Sequence, residues 1–113
     1  MKFSAKSLVT LGLFSALIMS ATTASALSED EVKSLMKKSN CFKCHAENKA
    51  KDGPSYKEIA EKARTKPEFA AKLYKHVTVL EKVEIKGKQE DHEPLKTKDE
   101  AEIQAILQWI QSR

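Results

Sequence analysis

Both cysteines of this 113-residue chain lie in the pentapeptide Cys41-Phe42-Lys43-Cys44-His45, with a histidine directly after the second. A C-x-x-C pair admits a few chemistries, and each demands a different surrounding fold. A thioredoxin-like redox pair needs a βαβ context, and no alternation of strand and helix patterns is visible. A structural zinc site needs four ligands, and only the two cysteines and distant histidines are on offer. A disulfide is the ordinary reading for an exported protein, but between Cys41 and Cys44 it closes too short a loop to constrain an unfolded chain much. In covalent haem attachment the two thiols become thioethers and the adjacent imidazole reaches the iron. Only that chemistry needs a nitrogen ligand immediately after the second cysteine. The pentapeptide therefore points to one covalent haem c on Cys41 and Cys44, with His45 as proximal ligand.

The first 26 residues bear on the compartment. Lys2 and Lys6 precede an apolar run from Leu8 to Met19, followed by small residues ending in Ala24-Ser25-Ala26, the layout of a secretory leader. Cleavage is expected after Ala26, giving a signal peptide over 1–26 and one domain over 27–113. The apolar run is too short for a membrane span of about 20 residues, so no stable membrane insertion is expected. The expected location is the periplasm. Removing 26 of 113 residues leaves 87, enough for one domain with a thin core, which a haem would supplement. Without Lys2 and Lys6 the mature chain has 18 basic against 16 acidic residues, too even a balance for a nucleic-acid binder.

The rest of the chain reads as short helices separated by two long loops. Ser28 and Glu31 form a capping box for a helix whose apolar face is Val32, Leu35 and Met36, ending near Ser39-Asn40. Tyr56, Ile59, Ala60 and Ala63 mark a second helix, and Lys66-Pro67 opens a third with a stripe of Phe69, Leu73, Val77 and Leu80 that also carries His76. The stretch from Val83 to Lys96 reads as a loop with at most a short strand. Thr97, with Glu100 as its capping partner, is expected to start the last helix, which carries Ile103, Ile106, Leu107 and Ile110 with Trp109 beside them. The expected fold class is all-α.

With those residues in view, the chain resembles the small monohaem class I cytochromes c, of the bacterial kind related to cytochromes c551. CFKCHAENKAKDGPSYKEIAEKA is similar to that family's C-x-x-C-H, loop, Gly-Pro-x-Tyr and helix, and EPLKTKDEAEIQAILQWIQSR to its proline-containing ligand loop and tryptophan-bearing terminal helix. The resemblance implies the small cytochrome c fold, with short helices wrapped around one covalently bound haem, and it implies that the Pro54 carbonyl accepts a hydrogen bond from His45 Nδ1. Such a bond fixes the ring and tunes the iron.

One departure stands out: the family's distal methionine is missing, because no methionine follows Met36. Met36 lies on the first helix's apolar stripe and reads as core. By register with the family, His92 in DHEPLK takes the methionine's position, with Pro94 just after it, and is the candidate distal ligand. His76 is the rival, with the ordinary alternative of a contact to a haem propionate or to the pocket wall. Histidine on both sides would suit outer-sphere electron transfer at a lowered potential. Redox protein partners are expected, steered to acidic docking surfaces by Lys43, Lys49, Lys51, Lys86 and Lys88. A monomer is expected, and no enzymatic constellation accompanies the iron. The alternative function is a haem protein that binds a small gas (O₂, NO or CO) at a weakly ligated distal site.

Overall fold

The computed structural model describes residues 26–113; the expected leader, apart from Ala26, lies outside them. Helix α1 spans Glu29–Lys38. Its start follows from Ser28, whose hydroxyl accepts the Glu31 amide while the Glu31 carboxylate takes the Ser28 amide at 2.7 Å. Glu29, Asp30 and Glu31 in the first turn and Lys37 and Lys38 in the last match the helix dipole at both ends. Asn40 then adopts the left-handed conformation at φ 61°, which turns the chain sharply into a single helical turn, α2, at Cys41–Cys44.

Helix α3, Tyr56–Thr65, begins with a second reciprocal box between Ser55 and Glu58. Helix α4, Pro67–Thr78, has proline in its first turn, where a missing amide proton costs nothing. Helix α5, Glu100–Gln111, closes the chain against α1 and α3. Val32, Met36, Tyr56, Leu73, Leu95, Ile103, Ile106, Leu107, Trp109 and Ile110 form one buried cluster, so the helical stripes converge on a shared core. Met36 is fully buried in it.

Three details differ from the sequence expectations. The segment after α4 is a two-stranded antiparallel hairpin, β1 Glu81–Ile85 and β2 Lys88–His92, with Glu81 opposite His92 and Ile85 opposite Lys88. Lys86 and Gly87 both have positive φ, 51° and 79°, so the turn is of the kind whose twist matches the strands. Helix α5 is capped by Asp99, which accepts the Glu102 amide, and starts two residues later than a Thr97 cap would place it; Thr97 instead hydrogen-bonds the Glu102 carboxylate. Leu80 leaves the α4 stripe. The helix stops at Thr78, Val79 is extended, and Leu80 is 55% exposed at the approach to the hairpin. Among the described residues no helix is long and apolar enough to cross a membrane.

Candidate haem site

The attachment turn is fastened to the core by its second residue. Phe42 meets Tyr56 and Trp109 edge-on at ring distances of 5.9 and 6.3 Å, and Tyr56 meets Trp109 in the same way at 5.2 Å. Anchored so, α2 carries Cys41 and Cys44 three positions apart on a common side, as helical spacing requires. Both are half-buried free thiols. Burial pushes the Cys41 thiol up, against a lowering contribution from the Tyr56 hydroxyl, and burial likewise raises the Tyr56 phenol far above its ordinary range.

His45 follows at the end of the turn, its amide donating to the Cys41 carbonyl at 3.1 Å. Its Nδ1 lies 2.7 Å from the Pro54 carbonyl oxygen. A carbonyl can only accept, so Nδ1 must carry the proton, and Nε2 keeps the lone pair in the neutral ring. Desolvation holds His45 below the usual histidine range, partly offset by that same bond. The loop between them is drawn in by Gly53, whose amide donates to the Cys44 carbonyl at 2.8 Å. A methyl group at Gly53 would sit 2.6 Å from His45 Cε1, so the close approach of loop and ring requires glycine.

The hairpin delivers the second imidazole. His92 ends β2, and its ring centroid lies 6.3 Å from that of His45, with the planes at 64°. Its Nδ1 is buried with no hydrogen-bond partner, and desolvation lowers its pKa. The loop that follows is tied back to the helices: the Leu95 amide donates to the Val77 carbonyl at 2.8 Å and the Lys96 amide to the buried Ser39 hydroxyl at 3.0 Å. His76 lies against His92, centroids 3.9 Å apart, and its Nδ1 is 3.1 Å from Glu81 Oε2. The structure thus brings His45, His92 and His76 into one cluster and keeps Met36 in the core.

Sequence reasoning missed Gly53 and Glu81. Gly53 stood next to Pro54 in a recognised motif and could have been read as a close-approach position. Glu81 carried no signal, because its role depends on a hairpin folding back onto α4.

The chain belongs to the cytochrome c family, whose family model, Cytochrome c, matches residues 22–113. It is a monohaem c-type cytochrome with the small cytochrome c fold, a protein that transfers electrons and is not an enzyme, and its haem c is covalent. Among solved structures it is similar to the class 1 cytochrome MtoD from Sideroxydans lithotrophicus ES-1, at 47% identity over 77% of this chain and 97% of that one, with a TM-score of 0.67. It is also similar to wild-type cytochrome c552 from Nitrosomonas europaea, at 28% identity over 71% of this chain and 96% of that one, with a TM-score of 0.54. A deletion mutant of the latter aligns at the same identity with a TM-score of 0.55. Among curated proteins none matches this chain.

Proposed function

We propose that this cytochrome is an exported, periplasmic one-electron carrier in which Cys41 and Cys44 bear the haem thioethers, His45 is the proximal ligand and His92 the distal one. The reading is supported chiefly by the 6.3 Å between the His45 and His92 rings. Two imidazole–metal bonds of about 2 Å, plus about 1.1 Å from each nitrogen to its ring centre, would span about 6.2 Å, so this separation is one that would suit an iron held by both rings. The tautomer of His45 leaves Nε2 free to donate, and desolvation lowers the pKa of both rings, which favours the unprotonated form that a ligand needs. The absence of any methionine after Met36 agrees with a histidine in the distal role.

Haem, when bound, supplies a reversible Fe(III)/Fe(II) couple. The protein's part is to hold both ligands in place through the change of charge, so that little rearranges during transfer. Pro54 fixes His45, and the hairpin fixes the backbone of His92. Methionine raises the potential of a cytochrome c, so the histidine pair lowers it relative to a histidine–methionine member. Lys43, Lys49, Lys51, Lys86 and Lys88 are all exposed and would steer an acidic redox partner, although Lys86 is bridged to Asp52 at 3.0 Å and Lys51 donates to the Phe42 carbonyl at 3.0 Å. Redox titration of His92→Met tests the ligation: the potential is expected to rise above wild type, and an unchanged potential would remove His92 from the iron.

A second reading is favoured by one observation. His92 Nδ1 has no partner, whereas a ligating histidine ordinarily donates its other ring N–H. A distal ligand held so loosely could give way to a gas, and immediate binding of CO by the wild-type ferrous protein would favour gas binding over electron transfer.

A further inference from the structure

The two imidazoles of the pair are held by different means, and the difference gives His76 a role. His45 is fixed by its bond to Pro54. His92 has no such bond, and the torsion that turns a histidine ring about its stem is soft, with broad wells. Something other than a hydrogen bond must set the plane of that ring. The ring in contact with it is His76, at 3.9 Å and tilted by 34°.

His76 is in turn held where it is. Its Nδ1 bonds the Glu81 carboxylate at 3.1 Å, and the other carboxylate oxygen is 3.5 Å from Lys75 Nζ. Glu81 is also the cross-strand partner of His92, so the two side chains leave the hairpin on the same face. Helix α4, the first residue of β1 and the last residue of β2 thereby close a ring of contacts: Glu81 holds His76, His76 lies on His92, and His92 pairs with Glu81. Only the step between the two imidazoles is a stacking contact, and it takes the place of the missing hydrogen bond.

We propose that His76, oriented by Glu81, is the positioning residue of the distal ligand: it braces the His92 ring by stacking and slows its departure from the iron. This inference rests on His92 being that ligand. The experiment uses the full holo-protein and two readouts, the ferric EPR spectrum and the rate at which the ferrous form takes up CO, which is limited by departure of the distal ligand. His76→Ala is expected to stay low-spin, with shifted or broadened g values and CO uptake about tenfold faster, the lower end of the effect of losing an outer-sphere partner. Glu81→Ala should move both readouts the same way, and His76→Phe, which keeps a stacking ring, should restore the wild-type rate.

A His76→Ala protein with wild-type g values and CO kinetics would overturn the inference. So would high-spin iron in both His76→Ala and His76→Phe, since His76 would then itself be the ligand. Failure of the ligation reading looks different: His92→Ala would remain low-spin, whatever the His76 variants do.

Discussion

Replacing Gly53 with alanine should damage the site through a single methyl group. The added Cβ would stand 2.6 Å from His45 Cε1, 2.9 Å from Nδ1 and 3.2 Å from the Cys44 carbonyl oxygen. Carbon atoms in ordinary contact sit about 3.5 Å apart or more, so the imidazole would have to retreat by about 0.9 Å. It has little freedom to do so, because Nδ1 is bonded to the neighbouring Pro54 carbonyl at 2.7 Å and the ring rests against Tyr56 at 5.2 Å. A retreat of that size would stretch the bond toward about 3.5 Å, where it ceases to be one. Overpacking of this kind costs about 1–3 kcal/mol, and the lost hydrogen bond about 1 kcal/mol more. The expected loss is therefore about 2–4 kcal/mol, measured by denaturant unfolding of the holo-protein followed at the haem absorbance. Loss of the Pro54 bond should also make His45 a weaker donor and raise the reduction potential. Wild-type stability to within about 0.5 kcal/mol would refute the argument.

Trp109→Ala should cost about 3–5 kcal/mol, because the ring is 6% exposed and meets both Phe42 and Tyr56; a loss under about 0.5 kcal/mol would mean that the attachment turn does not lean on it. Acid–acetone extraction should leave the colour with the protein, and its mass should exceed the chain by one haem; free haem in the extract would contradict thioethers at Cys41 and Cys44. Gly87→Ala should destabilise by about 1 kcal/mol through backbone strain alone, since φ is 79° and no atom lies within 4 Å of the added methyl. Equal unfolding midpoints of the two proteins would argue against the tight turn.

The helices were legible where their ends carried chemistry. Ser28 with Glu31 and the Lys66-Pro67 step announced their elements, and the apolar stripes of α1, α3 and α5 gave the core. The start of α5 was misread because two capping frames overlap: Thr97 precedes Glu100 by three residues, just as Asp99 precedes Glu102, and the structure uses the second. The hairpin was hidden for a different reason. Strand β2, KQEDH, is exposed over its first four residues, so no alternation marks it, and its turn lacks the usual Asn-Gly or Asp-Gly pair. Leu80 fitted a helical stripe by spacing, but the chain leaves the helix at Val79. At the site, CFKCH was readable from its own chemistry. His92 was singled out by register with a family, and its neighbours His76 and Glu81 meet it only through tertiary folding.

The most direct test of the central claim, that His92 faces His45 across the iron, is the optical spectrum of His92→Ala beside wild type, ferric and then ferrous with CO. The account predicts low-spin wild-type iron that resists CO, and a variant that turns high-spin when ferric and takes CO at once when reduced. A His92→Ala protein that stays low-spin and refuses CO would contradict it.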